Sequence, residues 1–203
     1  MKVCYIVGAG DFSSPFTPNE DDLVIAADGG YDTLKKHGIR CDLLIGDLDS
    51  IDSLPNKVEL QRHPVKKDST DMHLCYLEGK RRGYTEFRIM GGTGGREDHT
   101  FANFSLLLYI RENGDNATLY GQKNLTRVIK NEKTTVRGEP GMHFSAFAFA
   151  GDAMGVTIEG FEYEAKDITL TPSFPLAVSN IFTRDRGTVE VKDGSLLIMV
   201  EIE

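Results

Sequence analysis

The chain has 203 residues, 40% apolar and 27% charged, enough apolar material to pack one or two domains and too much for a disordered chain. Lysine and arginine total 23 against 31 aspartates and glutamates, a net charge of −8; so acidic a surface repels phosphate backbones, which argues against a general nucleic-acid binder but not against a nucleotide held through a metal ion. Cys4, Cys41 and Cys75 stand far apart with no CxxC pair, which argues against a secreted disulfide scaffold and a structural zinc site and fits a reducing cytoplasm.

The opening MKVCYIVGAGDF carries an apolar run too short for the core of a signal peptide and reads as a first strand, Lys2 to Val7. Gly8-Ala9-Gly10 lacks the third glycine of a dinucleotide fingerprint and predicts only a tight turn. Leu23 to Ala27 is a second strand, leading to Asp28 in VIAADGG, with YDTLKKHG helical after it. Asp42 to Ile45 is a third, leading to Asp47 and Asp49 in LLIGDLDS. TDMHLCYLEGKRRG reads as a helix with Asp68 and Asp71 at its mouth. The strand Glu86 to Met90 runs into a glycine series, Arg96 and Asp98. In the next helix, REDHTFANFSLLLYIRENG, Phe101, Phe104 and Leu108 have the i, i+3, i+7 spacing of a buried face, and Glu-Asn-Gly supplies the stop. Ala117 to Tyr120 is a fifth strand, and no stretch approaches the roughly 18 apolar residues of a membrane span.

After Gly121 the segments NLTRVIK, KTTVRG, HFSAFAFA, GVTIEGF and TVEVKDGSLLIMVEIE read as strands in quick succession. The last is expected to close a hairpin at Asp193-Gly194. The expected fold is therefore α/β, a mostly parallel sheet with helices on both faces over residues 1–121. An antiparallel β-sandwich follows over residues 122–203.

In an open α/β sheet, ligands bind beyond the carboxyl ends of the strands, and here three strand ends deliver carboxylates, glycines and a guanidinium to one rim. Asp47-Leu48-Asp49 leaving an apolar strand suits Mg²⁺, which takes one or two carboxylates with waters and phosphate oxygens; aspartates also start turns and cap helices. GGTGGR between strand and helix has the makings of an anion cradle, although the Gly-Lys-Ser/Thr ending of a P-loop is absent. Arg96 suits a phosphate or a neighbouring carboxylate, and one of Lys66 and Lys67 is a candidate phosphate contact. His99 at a helix start reads as a packing or capping residue.

Taken in order, ADGG (27–30), GDLDS (46–50), KDSTD (67–71), GGTGGREDHTFAN (91–103) and VSNIFT (178–183) resemble the thiamine pyrophosphokinase family of bacteria. The resemblance spans nearly the whole chain and implies the same two-part fold. It implies transfer of a pyrophosphoryl group from ATP to the hydroxyl of thiamine, giving thiamine diphosphate and AMP. Asp47, Asp49 and Asp71 would hold Mg²⁺. Asp28, Lys67, Asp68, Gly91, Gly92, Gly94, Gly95 and Arg96 would hold the nucleotide. Asp71 or Asp98 would assist the hydroxyl proton, and Tyr163, Ser179 and Asn180 would meet thiamine. It further implies a homodimer with thiamine between the α/β domain of one subunit and the sandwich of the other. A magnesium-dependent phosphohydrolase using the DxD pair, or a non-catalytic ligand-binding module, stands as the alternative.

Overall fold

The apolar runs CYIV (β1, Cys4–Val7), LVIAA (β2, Leu23–Ala27) and LLIG (β3, Leu43–Gly46) are buried at every position. Continuous burial without alternation is the mark of parallel strands covered on both faces. The computed structural model describes residues 2–47, 58–63 and 68–202. It divides into two units, Met1–Leu106 with Asn113–Gln122, and Leu107–Glu112 with Lys123–Glu203.

In the first unit β4 (Glu59–Arg62), β5 (Glu86–Met90) and β6 (Asn116–Tyr120) complete a parallel sheet in the order β4-β3-β2-β1-β5-β6. Helix α1 (Gly30–Lys36) sends Leu34 into a cluster with Val3, Tyr5, Val7 and Val24 on one face. On the other face α2 (Asp71–Arg81) sets the ring of Tyr76 edge-on to Phe87 at 4.9 Å and Cys75 against the Ala26 carbonyl. Chain order runs outward from β1 through β4, then restarts on the far side with β5. The direction of winding therefore reverses between β1 and β5, the switch point of the sheet.

One strand of this unit has no signal in the sequence, and one expectation is corrected. In β4, Glu-Leu-Gln-Arg is mostly exposed at the sheet edge and has one apolar residue from which to read a period. Helix α3 (Glu97–Glu112) buries Asn103, Leu106, Leu107 and Ile110, whereas Phe101 is 64% exposed. The helix is apolar around much of its circumference, so the i, i+3, i+7 pattern fits more than one face. Among the described residues no helix is long and apolar enough to cross a membrane.

The second unit is a sandwich of two antiparallel sheets. One has the order β12 (Asn180–Ile181), β9 (His143–Ala148), β14 (Ser195–Glu201), β7 (Asn124–Lys130). The other runs β11 (Ala165–Leu170), β10 (Ala153–Glu159), β13 (Arg186–Glu190), β8 (Lys133–Arg137). Ile129, Phe144, Ala146 and Ile198 from the first meet Val136, Val156, Ile158 and Val189 from the second in one core. Phe161 packs against Phe144 and Phe182 there, with ring centroids 4.4 and 4.6 Å apart.

The hairpin expected at Asp193-Gly194 does not form. Strand β13 pairs with β8 and β10, while β14 pairs with β7 and β9, so the Asp-Gly segment carries the chain from one sheet to the other. The crossing is held by its neighbours: Gly194 N donates to Asn131 Oδ1 at 2.9 Å, and Lys192 N donates to the Met154 carbonyl at 3.1 Å. An Asp-Gly pair serves such a bend as well as a hairpin because Gly194 sits at φ +103°.

Candidate active site

Beyond the carboxyl ends of β1 and β5 the two strands stay together as loops. Gly8 N donates to the Met90 carbonyl (2.8 Å), Gly10 N to Gly91 (2.9 Å) and Asp11 N to Thr93 (2.7 Å). A Cβ on Gly10 would overlap the Thr93 carbonyl oxygen, so glycine here serves close backbone approach. Opposite, Gly94 and Gly95 adopt φ +77° and +74°, open to glycine at no steric cost. Together the loops form one wall of a cavity of about 500 Å³ at the switch point.

Asp28 and Asp71 both line this cavity. Asp28 follows β2 with φ +48°, its N–H donating to the Ile45 carbonyl at 2.8 Å and its own carbonyl accepting from Tyr31 N at 3.2 Å. Gly46 ends β3 beside it: a Cβ there would stand 3.0 Å from Asp28 Oδ1. Asp71 is the first residue of α2, and the Thr70 hydroxyl caps that helix by accepting from His73 N at 3.2 Å. Asp47 is half-buried immediately after β3, and Asp68 is exposed ahead of α2; neither lines the cavity. Asp49 and Lys67 lie outside the described residues.

Among the described residues no three histidine, cysteine, aspartate or glutamate side chains form a metal-holding group. Of the three aspartates expected to hold Mg²⁺ only Asp71 is seen on the cavity, which Asp28 also lines; both are hard oxygen donors of the kind Mg²⁺ takes beside water and phosphate.

Gly91, Gly92, Gly94, Gly95 and Arg96 all line the cavity. Arg96 pairs with Asp98, donating from Nε at 3.1 Å and from a terminal nitrogen at 2.5 Å, with both side chains largely exposed. Hydrogen bonds from Arg96 hold the Asp98 carboxyl below the usual aspartate range, and the His99 N–H (3.0 Å) adds to that. Asp98 itself does not line the cavity, whereas His99 does.

The cavity-lining residues without a role assigned from the sequence include Gly8 and Gly10, Ser69 and Thr70, and the set His99, Ala102 and Asn103. The last three carried a legible signal, the i, i+3, i+4 spacing of one helix face directly after the glycine loop.

In the second unit the structure brings Tyr163 and Asn180 together. Tyr163 is 67% exposed. The Asn180 amide, 3% exposed, donates to the Tyr163 carbonyl at 2.7 Å and accepts from Tyr163 N and Ile181 N, each at 3.0 Å. Ser179 sits at φ +57° and donates its N–H to Ser145 Oγ at 3.1 Å.

The chain matches the family model described as thiamin pyrophosphokinase, catalytic domain, over residues 17–119, and that described as thiamin pyrophosphokinase, vitamin B1 binding domain, over residues 128–196. A thiamine pyrophosphokinase of Bacillus subtilis is 29% identical over 189 residues, covering 90% of this chain and 88% of the relative. Among solved structures, thiamine pyrophosphokinase from B. subtilis superposes with a TM-score of 0.89 over the whole of both chains at 24% identity. That from Geobacillus thermodenitrificans gives 0.84 at 25% identity, covering 99% of this chain and 98% of the other. The Candida albicans protein, only 13% identical, still gives 0.79, covering 99% and 89%.

Proposed function

The chain belongs to the thiamine pyrophosphokinase family, and we propose that it transfers the β,γ-pyrophosphoryl group of ATP to the hydroxyl of thiamine. The observation that carries this reading is the cavity at the switch point, which a glycine loop, Arg96, Asp28 and Asp71 all line within the stretch matched to the catalytic domain. Glycine N–H groups and a guanidinium suit a polyphosphate. The carboxylates suit the cation that accompanies it and, across the acidic rim, the positive thiazolium of thiamine.

In the reaction the thiamine oxygen bonds to Pβ, the Pβ–O bond to the α-phosphate breaks, AMP leaves with that oxygen, and the hydroxyl proton passes to a base. Positioning and charge stabilisation do most of the work in such transfers. Of the two acids considered for the proton, Asp71 is the better placed. It faces the cavity, whereas Asp98 holds Arg96 and is the weaker base for doing so. Asp47, Asp49 and Asp71 would hold Mg²⁺, which when bound offsets the charge of the phosphates. A carboxylate has two oxygens, so Asp71 can face a cation with one and accept a proton with the other.

Asp28, Lys67 and Asp68 complete the nucleotide side of the site. Tyr163, Ser179 and Asn180 form the thiamine side, with the exposed Tyr163 ring offered to the thiazolium by cation–π contact, worth on the order of 0.5–2 kcal/mol. The protein works as a homodimer in the cytoplasm, thiamine lying between the α/β domain (residues 1–121) of one copy and the sandwich (residues 122–203) of the other. Incubation with thiamine, ATP and Mg²⁺, followed by chromatography, is expected to yield AMP and thiamine diphosphate in equal amounts. ADP with thiamine monophosphate would identify a different phosphorus as the target. Phosphate release without thiamine would identify a phosphohydrolase, and nucleotide binding without turnover a non-catalytic module.

A further inference from the structure

Three consecutive carbonyls of the glycine loop are held in place. Gly91 O accepts from Gly10 N at 2.9 Å, Gly92 O from Asn103 Nδ2 at 2.7 Å, and Thr93 O from Asp11 N at 2.7 Å. A trans peptide carries its C=O and N–H on opposite edges. Each bond therefore turns the N–H of the following residue, Gly92, Thr93 or Gly94, the other way. The outer two bonds run from backbone to backbone and persist whatever the side chains. The middle one depends on Asn103 alone.

Asn103 is 6% exposed and lies one helical turn after His99 on α3. A Cβ on Gly92 would stand 3.1 Å from Asn103 Nδ2 and 2.7 Å from Leu119 Cδ1, so the loop is pressed onto this amide. Only the amide nitrogen can donate to a carbonyl, which fixes the orientation of the side chain.

We propose that Asn103 is a positioning residue: by donating to the Gly92 carbonyl it holds the loop in the course that sets Gly91, Gly92, Gly94, Gly95 and Arg96 along the cavity, where they receive the phosphates of a nucleoside triphosphate. The proposal rests on the reading of this loop as the nucleotide site. An aspartate at 103 keeps the shape but donates only when protonated. Burial, and the hydrogen bond that only the neutral acid can give, raise its pKa. Donation is then lost above that raised pKa and recovered as pH falls through it.

The test is calorimetric binding of a non-hydrolysable ATP analogue with Mg²⁺, from pH 5.5 to 8.5, to wild type, Asn103→Asp and Asn103→Leu, each verified as folded by circular dichroism. At pH 8.5 the aspartate variant is expected to bind about tenfold or more weakly than wild type. The ratio of the two affinities should narrow severalfold by pH 5.5, while the leucine variant shows a deficit that does not change with pH. An aspartate variant within about twofold of wild type throughout, or with the pH-independent deficit of the leucine variant, overturns the proposal and leaves the nucleotide site standing. Wild type that fails to bind the analogue overturns the nucleotide-site reading and this proposal with it.

Discussion

Asp28 combines an acidic side chain facing the cavity with a backbone in the left-handed region, at φ +48°. Aspartate and asparagine tolerate that region because their short polar groups bond locally; alanine does not, at a cost of about 1–2 kcal/mol. Asp28→Asn is therefore expected to keep its melting temperature near wild type, and Asp28→Ala to melt lower by about 2–4 °C per kcal/mol lost. Both should lose turnover to a similar degree, on the order of 10²-fold, if the charge is what the site uses. A thermal melt beside a steady-state assay separates the two effects, and an Asn variant with wild-type turnover would remove Asp28 from the site. Arg96 and Asp98 give a second test. Asp98→Asn frees the guanidinium but removes no cavity-lining carboxylate. The apparent KM for ATP should therefore move more than kcat, whereas a collapse of kcat alone would make Asp98 the base. Residues of this kind were legible in the sequence because each stands at a strand end or helix start. Asn103 was harder to read, since a polar residue inside a helix announces a role only once the face it shares with His99 and Ala102 is known.

Helix α2 delivers Asp71 from its first turn and is fastened by its far end. Glu78, buried in its last turns, accepts from Arg81 and from Arg82 at 2.7 Å, and Arg82 also reaches Glu59 of β4. On another side of the helix Tyr76 Oη and Lys80 Nζ both donate to the buried Asp115 at 2.8 Å. The hydrogen bond from Arg81, joined by that from Arg82, outweighs the upward push of burial and holds the Glu78 carboxyl down to about 2, from 4.5. A depressed folded-state pKa contributes stability that is complete above the unfolded value and is lost as pH falls through the folded one. Glu78→Gln is thus expected to be less stable by about 1–2 kcal/mol at neutral pH. Its melting temperature should converge on that of wild type as pH drops from about 4.5 to about 2. Parallel denaturation series at pH 7, 4 and 2.5 check this, and a gap that stays constant with pH would mean that Glu78 acts through packing alone. At this scale the sequence told strand from helix well wherever burial set a clear period. It was silent on β4, whose residues face water, and ambiguous on α3, whose apolar residues encircle the helix. The Asp193-Gly194 bend shows a further limit: a turn signal states that the chain reverses, and the partners of the flanking strands decide between hairpin and crossing.

The order of strands in each sheet is a property of the whole chain, because the local pattern of β1 or β5 does not say that they become neighbours. Their placement at the switch point nevertheless follows from chain order once the sheet is known to be parallel. The quaternary arrangement is one step further from local pattern. In the sandwich unit Tyr163, Phe174, Leu176 and Val178 are 67%, 65%, 58% and 41% exposed, apolar surface of the kind a second copy covers. If thiamine sits between the α/β domain of one copy and the sandwich of another, each site draws on two chains. Asp71→Asn then spoils a site through one copy and Tyr163→Ala through the other. Co-expressed, the two variants form heterodimers in which one site carries both defects and the other carries neither. With random pairing, half of the dimers are of this kind, so the mixture should show about a quarter of wild-type activity at thiamine concentrations where each variant alone is nearly inactive. Because the two substitutions lie in separate parts of the chain, a site confined to one copy would gain nothing from mixing. Activity no higher than the average of the two variants would therefore place both halves of the site on a single chain, whatever the oligomer seen by sedimentation.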